Sequence, residues 1–550
     1  MNLRRIASLL LLSAFGSVLS AQQPHLPLTA RAGACILVPS DYHHYFEEFA
    51  REETAATGKA ATDEWPWMVA NIPWFDTSAK DFEEMYYFRW FSFRKHVIAT
   101  PSGFVINEFL PRVAWGGAYN TIVDSAPFHL GEARWLRDPR IAEDDARFWM
   151  SPAAAPRNYS VWLADAIRGV TLANGDQQLA ITLLPAMEAN FRAWEATHQD
   201  ANGLFWSIDT RDAMEHSISG DGYRPTLNSY MYADAAAIAS IAAEAGHSAV
   251  AHLYAQKAEA QRQRIERDLW NPHDQFYEVV SPARDSGIRS QAKFVDPGTV
   301  LRFSGVRELI GYIPWEFNIP SPDHAVAWKQ LFDPRGFAGA YGPTTAERRS
   351  PRFRVANDDQ CQWNGPSWPF ATTQTLLALA NLENNQSQNP IGHDGYLRLF
   401  AEYVRSQHLR LPNGTVIPWI DENLDADTGE WVARAILAAR HSPQAGRGAY
   451  YNHSEFADLL ITGLIGLRPS ADNTITLNPL LPRNAWSYFA LDGLPWHRHL
   501  LTILYDSTGN HYHRGRGFRL YVDGVLCASR PDLGPLHFTL HSPSAFHRGS

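Results

Sequence analysis

From about residue 159 onward, apolar residues recur at helical spacing in paired segments. Segments 159–174 and 177–198 are helix-length and joined by Asn174-Gly175-Asp176; segments 229–245 and 249–270 repeat the arrangement around Gly246-His247-Ser248. In the second pair Tyr230, Ala233, Ala237, Ile238 and Ile241 share one face, among alanines that permit close helix approach. Further helices are expected at 323–332, 367–385, 395–406 and 455–467, separated by polar loops 201–226, 272–300, 336–366 and 409–450. Residues 35–125 read differently: aromatic-rich, with short strand-like runs such as 103–110 and few helical periods. Helical hairpins recurring roughly every 40–70 residues, with no fixed repeat consensus, favour an α/α toroid over a solenoid. Long loops in such a ring are where function collects. Beyond Thr474 the period changes to alternation, in 499–505 and 518–523, with turn chemistry at 506–510 and Asp523-Gly524. The expected fold is mainly α, a toroid at 151–472, preceded by an aromatic-rich segment at 22–150 and followed by a small β-sheet or sandwich at 473–550.

The first 21 residues stand apart. Arg4-Arg5 precede an apolar run from Ile6 to Phe15 and then small residues Ser17, Ser20 and Ala21. That is the layout of a secretory signal peptide, so the protein is expected to be periplasmic or secreted, with no membrane segment after its removal. Net charge is −10 over 550 residues, without a basic cluster beyond Arg348-Arg349, which argues against a nucleic-acid partner. Cys35, Cys361 and Cys527 are too few and too scattered for a disulfide framework or a zinc site, and neither metal nor cofactor is expected. The 19 Trp are the compositional signal, since aromatic faces suit the C–H faces of sugars.

Four loops gather the polar chemistry: 131–139, 208–228, 361–369, and 419–430 with 446–454. Trp, Arg, Asn and carboxylates together can stack on a sugar ring and hydrogen-bond its hydroxyls, while a carboxyl pair can protonate a leaving oxygen and activate water. His497/His499 and His511/His513 alternate on strands without an evident carboxylate partner and read as surface histidines. Gly222-Tyr223-Arg224-Pro225 lacks the glycine spacing of a phosphate loop, and Gly-x-Ser-x-Gly is absent.

Arg134-Trp135-Leu136-Arg137-Asp138, Trp363-Asn364-Gly365-Pro366-Ser367-Trp368, Glu422-Asn423-Leu424 with Thr428-Gly429, and Tyr451-Asn452-His453-Ser454 resemble the loops of the mannosylglycerate-hydrolase-like domain of the glucosidase-I clan of glycoside hydrolases. The resemblance spans most of 65–480. It implies an (α/α)6 barrel that hydrolyses glycosidic bonds with inversion, using one carboxylic acid and one carboxylate. The acid's place in that family falls on Ala213-Met214-Glu215-His216-Ser217, which departs from the family's Gly-Trp-Asp-x-Ser. It implicates Glu215, with Asp212 the alternate. The base's place falls on Glu422, with Ala426 where the family has proline; Glu455, opening the next helix, is the alternate. The resemblance and the loop chemistry together nominate Trp135, Arg137, Asp138, Tyr223, Arg224, Asn228, Trp363, Asn364, Trp368 and His453 for carbohydrate binding. Inversion would require the two catalytic carboxyls roughly 6.5–9.5 Å apart. A sugar epimerase or polysaccharide lyase, or a non-catalytic carbohydrate binder, is the competing class, because α/α toroids host those too.

Overall fold

The computed structural model describes residues 36–58, 60–282, 299–355, 359–386 and 389–540. Residues 1–21, expected to be a signal peptide, and Cys35 lie outside them. The chain is mainly helical with a C-terminal sheet region, and one continuous hydrophobic core runs from Leu37 to Leu536.

Leu163–Asn174 and Gln177–His198 form the first hairpin. Gly175, at φ 75°, ends the first helix in the left-handed conformation, and the Asp176 carboxylate accepts the Gln178 N–H to start the second. The first helix begins at Leu163 rather than 159, because its cap is tertiary: Asp234 of a neighbouring helix accepts the N–H groups of Ala164 and Asp165. Pro225–Glu244 pairs with Ser248–Arg264, starting with proline in its first turn, where the missing N–H costs nothing. Pro369–Asn385 and Gly392–Ser406 follow as expected, whereas Pro322–Gln330 winds as a 3-10 helix. The last expected helix is short, Ala457–Leu459 running into a π turn at Leu460–Leu464. Its start is capped by the Glu132 carboxylate, which accepts from Phe456, Ala457 and Asp458, and not by Glu455.

Several helices were invisible to pattern, among them His43–Thr57, Trp65–Asn71, Lys80–Arg94, Ala126–Ala133, Arg140–Trp149 and Val432–Ala439, so the aromatic-rich segment is more helical than expected. Lys80–Arg94 carries Phe82, Tyr86, Tyr87, Phe88, Trp90, Phe91 and Phe93, all buried. Buried on every side, it has no polar stripe to betray its period. Its one deeply buried cation, Arg89, donates to Tyr403 Oη (2.9 Å), Gln407 Oε1 (2.9 Å) and the Ser454 carbonyl (2.7 Å), which fixes the 451–455 loop from below. Val432–Ala439, inside the predicted 409–450 loop, is barely two turns long.

The C-terminal alternation becomes an antiparallel sheet of Tyr488–Trp496, His499–Asp506, Gly517–Val522 and Val525–Arg530. Asp523 (φ 49°) and Gly524 (φ 79°) make the two-residue hairpin that places Val522 opposite Val525. The N-terminal segment does more than lead into the helices. Trp74–Thr77 is the sheet's fifth, edge strand, and the backbone N–H groups of Ile36 and Leu37 bond to Asp492. His499 and His511 do find carboxylates, Asp523 at 2.7 Å and Asp76 at 3.0 Å, as structural pairs remote from any cavity described below. Among the described residues no group of His, Cys, Asp and Glu is arranged to hold a metal, and no helix is long and apolar enough to cross a membrane.

Candidate functional site

Four loops converge on a cavity of about 260 Å³. The first follows the hairpin of Val97–Thr100 with Gly103–Ile106 and supplies Glu108, Phe109, Trp115, Ile122 and Asp124. Asn120 staples it, its side chain bonding the Phe109 and Pro111 carbonyls and the Val113 N–H. The second loop carries Glu215 between two non-glycine residues in the left-handed region, Ala213 (φ 57°) and His216 (φ 65°). Strained positions of this kind persist only where the surroundings over-determine them. Here the Trp363 N–H donates to the Glu215 carbonyl (3.1 Å), and His216 meets Asp359 across the gap (3.0 Å). The third loop brings Cys361, Trp363 and Trp368, whose indoles stack 4.6 Å apart at 13°. It is tied to the fourth by reciprocal backbone bonds between Ser367 and Leu424 (2.8 and 2.9 Å).

The fourth loop carries Glu422, gripped by Arg447 through Nε to Oε1 (2.7 Å) and Nη2 to Oε2 (2.9 Å). Close approach of the two segments requires glycine at 448, where a Cβ would lie 1.9 Å from Asp421 Oδ1. Tyr451 and His453 complete the wall, their rings 3.7 Å apart, and the Asn452 N–H bonds the Glu108 carbonyl (3.0 Å).

The electrostatics separate the two nominated carboxyls. Burial, with added repulsion from Asp124, Asp209 and Asp359, pushes Glu215 up to about 7, so it holds a proton near neutrality. Burial also raises Glu422, but there the Arg447 ion pair pulls the other way, a force absent at Glu215. Burial raises Asp124 to about 7 and lifts Glu108 well above the carboxylate range, the charge of Asp124 adding to the latter. His453 is held neutral by burial and by Arg89. Cys361, 3.9 Å from Glu422, keeps its thiol proton because burial and the charges of Glu422 and Glu215 disfavour the thiolate.

Of the residues nominated from sequence, Glu215, Glu422, Trp363, Trp368 and His453 line this cavity. The others sit elsewhere and are corrected. Trp135 is fully buried and donates to Asp458 (2.6 Å), and Arg137 bonds the Gly493 and Val69 carbonyls under the C-terminal sheet. Asp138 pairs with Arg140, and Tyr223 bonds Asp200. Arg224 is consumed by Asp212, Asn228 spans the backbone of Phe205, and Asn364 bonds the Val355 carbonyl. Asp212, the alternate acid, is buried among Arg224, Ser207 and Thr226, off the cavity. Glu455, the alternate base, faces a separate cavity of about 140 Å³ with Arg134, Glu316 and Asp458. Sequence reasoning missed Glu108, Asp124, Trp115, Arg447 and Tyr451. The available signal for Glu108 was a charge set inside the apolar run 104–110.

Residues 118–454 match the mannosylglycerate hydrolase MGH1-like glycoside hydrolase domain, and 467–525 match the C-terminal domain of glycosyl hydrolase family 65. Among solved structures, one described as a sialidase is 38% identical over 91% of this chain and 45% of its own, with a TM-score of 0.81. The present chain therefore spans less than half of that relative. A GH78 family rhamnosidase of Bacillus sp. GL1 is 14% identical, covering 80% of this chain and 41% of its own at a TM-score of 0.50. The GH63 mannosylglycerate hydrolase from Thermus thermophilus, in complex with Tris and D-glycerate, is 12% identical over 69% of this chain and 100% of its own, at 0.49.

Proposed function

Because the chain belongs to the mannosylglycerate hydrolase MGH1-like glycoside hydrolase family, we propose that it is an exported, inverting hydrolase that removes a terminal sugar from an oligosaccharide or glycoside. In this reading the helical hairpins close into a six-hairpin toroid, with the cavity at its mouth. Glu215 protonates the departing glycosidic oxygen. Glu422 takes a proton from a water that attacks the anomeric carbon from the opposite face. Trp363 and Trp368 wall the sugar and exclude bulk water.

One observation carries the assignment: two glutamates 207 positions apart in sequence share one aromatic-walled cavity, and only one of them has a cation to keep it charged. Environments that push two carboxyls apart in proton affinity define an acid and a base. An epimerase would need a pair of titrating histidines, and the cavity offers the neutral His453 alone among its described lining. A lyase acting on uronates would need free cations, and the sole arginine in the described lining of the cavity is engaged by Glu422.

Paired substitutions test the roles. Glu215→Gln should lose about 10²–10⁴ in turnover of an unactivated glycoside, and much less with a nitrophenyl leaving group that needs no proton. Glu422→Gln should be inactive on both, since water activation does not depend on the leaving group. NMR of the first anomer released by the wild type should show inversion. Equal losses on both substrates for Glu215→Gln, or retention of configuration, would overturn the assignment.

A further inference from the structure

The cavity holds more buried polar atoms than its two proposed catalytic carboxyls explain. Glu108 Oε1 and Trp363 Nε1 are buried with no hydrogen-bond partner, the ring nitrogens of His453 have none of good geometry beyond their approach to the Tyr451 and Glu422 backbone, and all three residues line the cavity. Buried polar groups are almost always satisfied, so several orphans on one concave wall point to a ligand that supplies the missing bonds. Their chemistry is mixed: an indole donor, a carboxyl, and a neutral imidazole that offers one donor and one acceptor. A sugar hydroxyl, donor and acceptor at once, matches each of them.

The charges narrow the ligand further. The described lining contains five carboxyls, Glu108, Asp124, Glu215, Asp359 and Glu422, and one cationic side chain, Arg447. Arg447 spends Nε and Nη2 on Glu422. The arginines nominated from sequence for carbohydrate binding, Arg137 and Arg224, are committed elsewhere. A carboxylate entering this space would be desolvated with no uncommitted cation in the described lining to pair with, which is costly.

Building on the hydrolase reading, we propose that Glu108, Asp124, His453 and Trp363 form the subsite for an uncharged sugar, reading its hydroxyls, and that the cavity excludes uronic and sialic acids. Glu108 and Asp124 are the specificity-determining pair. Kept wholly or partly protonated by burial, to which the charge of Asp124 adds at Glu108, they can donate to hydroxyls as well as accept from them.

The test uses the whole chain at pH 7. Product inhibition or calorimetric binding is measured for a panel of neutral sugars (glucose, mannose, rhamnose, arabinose) and for glucuronate, galacturonate and N-acetylneuraminate. At least one neutral sugar should bind, and each acidic sugar should bind at least about 10-fold more weakly than that one. In Glu108→Gln the preferred neutral sugar should weaken about 2–10-fold, the net range for one hydrogen bond between uncharged groups. The wild-type panel stands by itself should that variant fail to fold. Binding of an acidic sugar as tight as the best neutral one would overturn the proposal, as would Glu108→Gln with unaltered sugar affinity. Binding of a neutral sugar without hydrolysis of any glycoside would instead overturn the hydrolase reading and support the subsite. Hydrolysis of a uronide or sialoside would refute the subsite and leave hydrolysis standing.

Discussion

Replacing Glu215 by glutamine should stabilise the protein at alkaline pH while crippling it. The folded-state proton affinity of Glu215 lies at about 7, against 4.5 for the free side chain. Between those values the native state holds a proton that the unfolded chain has released. Raising pH through this window therefore costs native stability, and the contribution present below pH 4.5 is lost above about 7. The full difference, at about 1.4 kcal/mol per unit, comes to about 3 kcal/mol. Glutamine keeps the shape and never ionises, so the variant escapes this loss. With an unfolding entropy of about 2.1 cal/mol/K per residue, a chain of this length loses about 1 °C of Tm per kcal/mol. The Tm of Glu215→Gln minus that of wild type should thus be near zero at pH 4.5 and rise to about 3 °C by pH 8. Asp124 and Asp359 are common to both proteins, so their own titrations cancel to first order. The same proton should govern turnover: wild-type kcat/KM on an unactivated glycoside should fall about tenfold per pH unit above about 7. Calorimetric scans of both proteins at matched rates, from pH 4.5 to 8, are the assay. Parallel Tm profiles for the two proteins would mean that Glu215 is ionised in the native state, and its role as acid would fall.

Two further substitutions separate structure from chemistry. Asp212→Asn breaks a fully buried pair with Arg224, so it should cost about 3–5 kcal/mol of stability yet leave kcat/KM per folded molecule unchanged; a hundredfold loss of turnover at intact fold would return the acid role to Asp212. Trp115 is 42% exposed at the cavity, with the Arg447 guanidinium 5.4 Å from its ring. Trp115→Ala should raise KM about 2–10-fold for glycosides with a sugar or aryl leaving group while sparing kcat, and unaltered KM for both would mean that Trp115 does not touch the substrate.

What the sequence disclosed, and what it withheld, follows from what each residue type signals. Helix pairs from 163 to 264 were legible because apolar and small residues recur at helical spacing over helix-length segments and the links, Asn174-Gly175-Asp176 and Gly246-His247-Ser248, are turn chemistry. Lys80–Arg94 was not, because total burial erases the stripe. Glu215, Glu422, Trp363, Trp368 and His453 could be nominated from loop chemistry and family resemblance. Yet the same signals also nominated Trp135, Arg137 and Arg224, which are structural: Trp135 joins Arg134 on Asp458, and Arg224 is the counter-ion of Asp212. Tryptophan and arginine serve a sugar site and a buried strut equally well, and only the direction of the side chain distinguishes them. Glu108 was hidden by its neighbours Phe104, Val105, Ile106 and Phe109, which read as a strand.

The missed residues make the nominated ones intelligible. Taken alone, Glu215 and Glu422 are two buried glutamates, and burial drives both toward the neutral acid. A hydrolase built on that pair would have a proton to give and no base to receive one. Arg447 breaks the symmetry by a two-pronged grip on Glu422, and Gly448 exists where it does so that the grip can close. On the opposite side the symmetry breaks the other way, since Asp124 and Asp359 add repulsion at Glu215 that no cation relieves. In the proposed reading, the acid and the base are therefore defined less by their own identity than by which neighbours the 107–124 and 446–454 loops deliver. In this chain it is Arg447, 25 positions beyond Glu422, rather than any feature of the glutamate itself, that nominates Glu422 as the base.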